Sequence, residues 1–216
     1  IEQMLEERAS SVSGLTWDGW LVESGAMTDA GLTMSHDSSL NYAPVFQAVQ
    51  MISGDIAKLP LEPFKRDGEY RKKATTHPSY RLVRRQANPE TSAFNFWRDY
   101  MTHALLWGNA YARIIRDPFN GHPLELYNLL PDRTSADYID EELVYTTEID
   151  GKLRSYMARD ILHLRGMGWD TIEGCDLVRH ARDSWSVGLA QEKFAAKFYA
   201  NGAKIASVLE VPEGTP

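Results

Sequence analysis

Residues 91–133 constrain the fold more than any other stretch, because a helical pattern passes directly into a strand pattern. Thr91 and Ser92 are hydroxyl residues placed just before an apolar-periodic run, which predicts a helix N-cap. The run predicts one buried helical stripe, consisting of Phe94, Trp97, Met101 and Leu105. Gly108 and Asn109 tolerate the left-handed conformation of a C-cap, so the helix should end there.

The apolar period changes to two from Ala110, which predicts a strand. One side of this strand should carry Tyr111, Arg113 and Ile115. Residues 117–121 have the sequence DPFNG, which is strong turn chemistry. Alternation then resumes in a second strand with Leu124 and Leu126. A helix that feeds a β-hairpin is a packing nucleus and not a catalytic layout.

The rest of the chain predicts an α+β fold, a mixed domain of helices and short antiparallel strands or hairpins followed by a long helix. Predicted helices cover residues 44–59, 78–86 and 176–200, and the last is capped by Asn201 and Gly202. Asp67-Gly68 marks a tight hairpin. Further strands are predicted at residues 134–138, 143–148, 152–157, 161–164 and 208–211. Since the last strand has nothing after it to pair with, we expect the chain to be a fragment.

The charge is concentrated at one end of the chain. The net charge is −7. Residues 1–39 hold seven acidic residues against Arg8 alone, which gives −6 and leaves −1 for the other residues. We interpret residues 1–39 as an acidic arm, either docking Trp17 and Trp20 on a neighbour or disordered. A nearly neutral body lacks the basic excess of a protein that binds by neutralising phosphates.

The cysteine count and the distribution of apolar residues indicate the cellular compartment of the protein. Cys175 is the only cysteine, so the chain has no internal disulfide, which fits a reducing cytoplasm. No run approaches the roughly 18 apolar residues of a membrane span, and the first residues show no signal peptide. We therefore expect no membrane partner.

The loop Gly166–Gly174 raises the alternative of a nucleotide-binding enzyme, because Gly166-Met167-Gly168 follows a predicted strand. A dinucleotide fingerprint requires a third glycine three residues later. Thr171 stands at that position, so an ordinary loop is the favoured interpretation. No Walker lysine motif is present.

Three further groups of residues are candidates for catalysis or metal binding, but for each of them a structural role is the favoured interpretation. They are the pair Asp160 and His163, the pair Cys175 and His180, and the acidic run Asp140, Glu141 and Glu142. The segment Lys65–Arg85 holds eight basic residues against two acidic ones, which suits a solvated face or contact with nucleic acid or an acidic neighbour. No nucleophile–base set, metal cluster or phosphate cradle is visible, so we predict no catalysis, cofactor or metal.

Several segments resemble the portal proteins of tailed bacteriophages, the head–tail connectors. They occur in the family's order between about residues 41 and 209, and they are VFQAVQMISGDIAKLPLEPFKR, HPSYRLVRRQANP, FNFWRDYMTHALLWGN, GNAYARIIRD, LYNLLPDR, RDILHLRG and AQEKFAAKFYANGA. Each segment alone is weak evidence, but the ordered set is specific.

The resemblance implies a wing-like domain at residues 40–175, a stem helix at 176–202 and the start of a clip at 203–216. It implies a structural role in a homo-oligomeric ring, usually of twelve subunits, at one capsid vertex. The ring would nucleate head assembly, pass double-stranded DNA in packaging and ejection, and dock the terminase, the major capsid protein and tail-adaptor proteins. It would be assembled in the host bacterial cytoplasm and located in the virion. A capsid or adaptor module that is not a portal remains a second alternative.

The long helix carries the candidate site. Placed 100° apart, its basic residues fall with Ser186 in a sector of about 60°; they are Arg179, Arg182, Lys193 and Lys197. An ordinary solvated face explains this stripe. The functional interpretation is that the stripe faces the DNA path or an acidic surface of the next subunit, where it makes weak, sequence-independent contacts.

Overall fold

The structure, a computed structural model, describes residues 26–28, 30–168 and 171–203. Within these ranges the helices are α1 (His36–Ser39), α2 (Ala43–Lys58), α3 (Pro78–Arg84), α4 (Ala93–Trp107) and α5 (Leu177–Ala200). The strands are β1 (Ala26–Met27), β2 (Thr33–Met34), β3 (Phe64–Asp67), β4 (Tyr70–Lys73), β5 (Asn109–Arg116), β6 (Pro123–Leu129), β7 (Thr134–Ile139), β8 (Glu142–Ile149), β9 (Lys152–Met157) and β10 (Ile161–Arg165). The α+β fold class is confirmed.

The predicted helix–hairpin unit is α4, β5 and β6. The Ser92 hydroxyl caps α4 by accepting the backbone N–H of Asn95 at 3.3 Å. Gly108 ends the helix in the left-handed conformation with φ 71°, whereas Asn109 already belongs to β5. The predicted stripe is wrong for Phe94, which is 41% exposed. The side of α4 that is fully buried instead carries Phe96, Tyr100 and Ala104.

Two three-stranded antiparallel sheets form the body, in the orders β10-β5-β6 and β7-β8-β9. In the first sheet, called here the central sheet, Ala112 lies opposite Leu162 on one side and Asn128 on the other. Two hairpins, β1–β2 and β3–β4, complete the strand pairing of the described residues. The β3–β4 turn consists of Gly68 and Glu69, one residue later than the Asp67-Gly68 turn that was predicted.

The central sheet lies between two other layers. On β5, Ala110 and Ala112 pack into a cluster with α3 and α4, and the cluster includes Leu82, Phe96 and Leu126. Tyr111, on the opposite side of β5, packs against the second sheet in a cluster with Leu129, Ala136, Tyr145 and Ile161. Alternate residues of a strand face opposite sides of its sheet, so the helices and the second sheet cover opposite faces of the central sheet.

The remaining elements surround α4. Helix α2 packs along α4, and α5 contacts α1, α4 and β2. Pro44 lies in the first turn of α2, as predicted. Helix α5 begins after its N-cap Asp176 and ends at the C-cap Asn201, close to the predicted bounds.

The predictions for Trp17, Trp20 and residues 208–211 lie outside the described residues. The described part of the predicted arm, from residue 26 onwards, contains β1, β2 and α1. No helix of the described residues combines the length and apolar character that crossing a membrane requires.

Candidate functional site

The first turn of α5 is held by a polar junction to the N-terminal segment. The Asp176 carboxylate accepts the backbone N–H of Arg179 at 3.0 Å and lies 3.0 Å from Nε2 of His36. Burial alone would raise the pKa of Asp176. The hydrogen bonds from His36 and from the backbone N–H of Arg179 outweigh burial, so the pKa lies below its ordinary value. The positive end of the α5 dipole is therefore occupied by the chain's own carboxylate.

The first half of α5 packs against the body. Val178, Ser186 and Leu189 are buried on one side of the helix. A Cβ added at Gly188 would lie 2.6 Å from the ring of Tyr42, so this glycine permits close packing of the helix on the residue that precedes α2. The Ser186 hydroxyl is satisfied within the helix by donating to the carbonyl oxygen of Asp183 at 2.7 Å.

The second half of α5 has little contact with the body. From residue 191 to the end of the helix every residue is exposed except Ala195, which is half-buried. Phe194 and Phe198 stack with their ring centroids 6.3 Å apart, and both remain exposed, together with Val187. These three residues lie within about 40° on the helical wheel. The outer half of α5 thus presents an apolar face that no other described residue covers.

The four basic residues of the predicted stripe do not form one continuous surface. Ser186, which lies at the centre of their sector, has no exposed surface at all. Arg182 is half-buried, whereas Arg179, Lys193 and Lys197 are exposed. The structure therefore divides the stripe into an inner pair, Arg179 and Arg182, and an outer pair, Lys193 and Lys197. The pairs are about 16 Å apart along the helix, at 1.5 Å per residue.

The glycines of the Gly166–Gly174 loop serve close backbone packing. The Gly166 N–H donates to the carbonyl oxygen of Gly108 at 2.7 Å. A Cβ at Gly174 would lie 2.1 Å from that same oxygen, and a Cβ at Gly168 would lie 2.4 Å from the carbonyl oxygen of Glu173. Protein backbone fills the space that a phosphate would need, so the geometry of the loop does not favour the nucleotide-binding alternative.

Asn109 anchors this loop, a role that its sequence position does not reveal. Its side-chain oxygen accepts the backbone N–H of Gly174 at 2.7 Å, and its amide donates to the Gly174 carbonyl oxygen at 3.0 Å. The same oxygen lies 3.1 Å from Nε2 of His163, whose Nδ1 lies 3.1 Å from the Tyr145 hydroxyl. Burial lowers the pKa of His163 to about 4, with Arg165 adding to the shift. His163 is therefore a packed neutral histidine, as predicted.

The other candidate residues occupy structural positions. Asp160 pairs with Arg116 at 3.1 Å and not with His163. Cys175 is a half-buried free thiol and His180 is exposed. Among the described residues no group of three or more histidine, cysteine or acidic side chains is arranged to hold a metal ion.

The basic segment 65–85 and the acidic run both lie on the surface. All eight basic residues of the segment are exposed, and two of them form ion pairs: Lys72 with Asp67, and Lys73 with Glu62. Asp140 and Glu141 form the exposed turn between β7 and β8, and Glu142 is the exposed first residue of β8. The predicted solvated positions of both segments agree with the structure of the isolated chain.

The sequence profile of the phage portal protein family matches residues 43–216. The chain belongs to the phage portal protein family. It is 31% identical over 208 residues to the portal protein of Enterobacteria phage HK97, covering 90% of this chain and 49% of that protein. It is 28% identical over 212 residues to a probable portal protein of Streptomyces phage phiC31, covering 91% and 45%. The chain thus spans about half the length of these portal relatives.

Solved structures share the portal fold. A chain in the neck of an empty gene transfer agent particle, computed with C6 symmetry, matches with a TM-score of 0.63 at 22% identity, covering 80% of this chain and 48% of that one. A chain in the neck of the native particle, computed with C12 symmetry, gives 0.59 at 19%, covering 79% and 46%. An HK97 family phage portal protein from Corynebacterium diphtheriae gives 0.56 at 16%, covering 85% and 56%. Membership of the portal family favours neither the nucleotide-binding enzyme nor the capsid or adaptor module that is not a portal.

Proposed function

We propose that this chain is the wing and first-stem part of a portal protein that assembles into a closed ring. The same ring would serve head assembly, DNA packaging and DNA ejection. Residues 40–175 form the wing, 176–202 the stem helix and 203–216 the start of the clip. Family membership supports the structural role. The cyclic symmetry of the gene transfer agent necks supports a ring, for which we propose twelve subunits.

The observation that carries the ring proposal is a pair of different apolar surfaces that no described residue covers. One is the outer face of α5 with Val187, Phe194 and Phe198. The other is a ridge that follows one side of α2 and continues towards β3; it consists of Ile52, Ile56, Leu59, Leu61 and Phe64, which are 37–58% exposed. A closed ring with head-to-tail contacts requires two different faces on each subunit. Exposed apolar patches of this kind mark interaction sites.

The further partners follow from the place of a portal ring in a phage particle. We propose that the ring lies at one capsid vertex of the virion after assembly in the host cytoplasm. There it would contact the major capsid protein, the terminase and tail-adaptor proteins. Double-stranded DNA would pass through the ring with weak, sequence-independent contacts, because the body of the subunit carries a net charge of only −1. We propose that the protein has no enzymatic activity. An assay of ATP hydrolysis by the purified full-length protein tests this.

Within this ring, the outer pair Lys193 and Lys197 is better placed than the inner pair to face the DNA path or an acidic surface of the next subunit. Both lysines are exposed on a part of α5 that has left the body. Repetition around a ring turns each side chain into a circle of positive charge, which attracts a passing polyanion without fixing it.

The apolar surfaces give a direct test of self-assembly. Phe194→Ser combined with Phe198→Ser should leave the full-length protein folded but reduce its assembly, because both rings are exposed in the single chain. Phe119→Ser is the control, since Phe119 is 98% exposed on the β5–β6 turn and belongs to neither surface. Mass photometry should show loss of rings for the double variant and normal rings for the control. Unchanged assembly of the double variant would remove α5 from the interface.

A further inference from the structure

A basic cleft opens beside α3. It has a volume of about 710 Å³, and its lining includes Thr75, His77, Tyr80, Arg81, Arg85 and Gln86. Arg81 and Arg85 are four residues apart, so both lie on the same side of this short helix. Both are exposed, and neither forms an ion pair with another described residue. Two free guanidinium groups in one cleft are suited to carboxylates, which they bind through paired hydrogen bonds.

An acidic segment, called here the acidic turn, consists of Asp140 and Glu141 in the turn between β7 and β8 and of Glu142, the first residue of β8. All three side chains are exposed, and none forms an ion pair or hydrogen bond with the described residues. Asp140 and Glu141 have positive φ values of 51° and 69°. Glycine or asparagine would hold such a two-residue turn with less backbone strain. The backbone geometry therefore does not explain why acidic residues occupy it, and strained positions of this kind point to a role for the side chain.

The cleft and the turn belong to opposite outer layers of the subunit. The cleft lies beside α3, which packs on one face of the central sheet through Leu82. The turn projects from the β7–β8 hairpin, whose sheet packs on the other face through Ala136 and Tyr145. The two charged features are thus separated by the central sheet within one copy. Two complementary features on opposite sides of a subunit are what a head-to-tail contact requires.

We propose that the acidic turn of one copy docks in the basic cleft of the next copy, with Glu141 and Glu142 facing Arg81 and Arg85. This proposal rests on the proposed ring assembly and names one contact within it. Charge pairs at the edge of an interface mainly set orientation and partner choice, while apolar contacts supply affinity. A neighbouring carboxylate is favoured over DNA as the occupant, because the near-neutral body lacks the charge excess of a phosphate-binding surface.

A charge-swap experiment on the full-length protein tests this contact. The variants are R81E/R85E, E141K/E142K and the combination of all four substitutions. Asp140 is kept, because aspartate tolerates its positive φ better than lysine does. We expect each double variant to raise the protein concentration at which half of the subunits are in rings by about tenfold, at about 150 mM salt. The fourfold variant should return to within about threefold of the parent, because the charges are again complementary.

Matched controls separate a specific contact from an effect of net charge. K152E/R154E changes two exposed basic residues on β9, and D137K/E148K changes two exposed acidic residues on the second sheet. Both controls should assemble like the parent. Equal loss in a control and its matched variant, or no rescue by the fourfold swap, would overturn the proposal while ring assembly stands. If R81E/R85E assembles normally but loses binding to a short DNA duplex, the cleft is a DNA site and the proposed contact between copies is overturned. A parent that forms no rings would overturn the proposed function itself.

Discussion

His36 and Asp176 join the N-terminal segment to the start of the long helix, with Nε2 of the imidazole 3.0 Å from Oδ2 of the carboxylate. Their side chains are only 13% and 23% exposed. The His36 ring also stacks on Trp107, the last residue of α4, with centroids 4.3 Å apart and planes inclined by 7°. One histidine therefore connects α1, α4 and α5, so the direction in which α5 leaves the body depends on this junction.

Substitution of Asp176 tests the junction. Asp176→Ala should lower the free energy of unfolding by about 1–2 kcal/mol, because the helix loses its N-cap and His36 loses its partner. Asp176→Asn is the control, since asparagine still caps a helix, and it should destabilise less. Because the folded-state pKa of Asp176 is lowered, its stabilisation is present above pH about 4 and is lost as the pH falls through the folded pKa. Urea unfolding at pH 7 and pH 3 should show a smaller difference between parent and Asp176→Asn at pH 3.

His163 should make the fold sensitive to mild acid. Its pKa falls from an ordinary 6.5 to about 4 in the folded chain, because burial disfavours the charged ring. Above pH 6.5 the ring is neutral in both states, so its full stabilisation is present there. Between pH 6.5 and 4 the unfolded chain takes up the proton first, so the free energy of unfolding should fall.

The variant His163→Gln should flatten the part of this pH dependence that His163 causes, leaving the contribution of His103, whose pKa burial also lowers. His122→Gln is the control, because His122 is exposed beside the β5–β6 turn. Chemical unfolding followed at several pH values measures the slope. A slope between pH 6.5 and 4 that is the same in His163→Gln and the parent would contradict the assignment.

Three alanine substitutions separate backbone conformation from close packing. Gly108→Ala should destabilise by about 3 kcal/mol or more, since it combines a left-handed residue with a Cβ 1.9 Å from the carbonyl oxygen of Cys175. Gly174→Ala isolates the close approach and should destabilise by about 2 kcal/mol. Gly121→Ala has φ 69° but open space around the new Cβ, and it should destabilise by about 1 kcal/mol. Thermal unfolding gives the order, and equal effects of all three would contradict the packing account.

The sequence predicts the elements of the fold better than it predicts their buried sides. Ser92 and Gly108 mark the ends of α4, because caps are local features. The buried side is not local. Helix α4 lies between the central sheet and α2, so Phe94 falls outside both contacts while Ala104 and Tyr100 are buried. The Tyr100 hydroxyl donates to the carbonyl oxygen of Leu162, a partner 62 residues away.

In the candidate site, too, the features that depend on non-local contacts could not be predicted from the sequence. The helical wheel predicts one sector for the four basic residues, but it cannot show that Ser186 between them is covered by the body. No local sequence pattern identifies Asn109 as the anchor of the glycine loop, because its partner Gly174 lies 65 residues further along the chain. Tertiary contacts decide both the burial of Ser186 and the hydrogen bonds of Asn109, and a single sequence does not show which residues make those contacts.

The outer lysine pair provides a functional prediction. In the full-length protein, K193E/K197E should reduce DNA packaging or retention, because reversed charges around the ring would repel the duplex. Both residues are exposed, so unfolding should be almost unchanged. K152E/R154E is the control, since it reverses two exposed charges on β9. Packaging assays with purified heads should show the defect in the first variant alone. Normal packaging by K193E/K197E would leave the pair as an ordinary solvated surface.

The symmetry of the full-length protein, determined by electron microscopy, tests the central claim most directly. Two different apolar surfaces on one subunit, together with membership of the portal family, predict a closed ring with cyclic symmetry, for which we propose twelve subunits. In that ring the ridge of α2 and the outer face of α5 should both be covered by neighbouring subunits. A protein that remains monomeric, or that forms only two-fold dimers, would contradict the account.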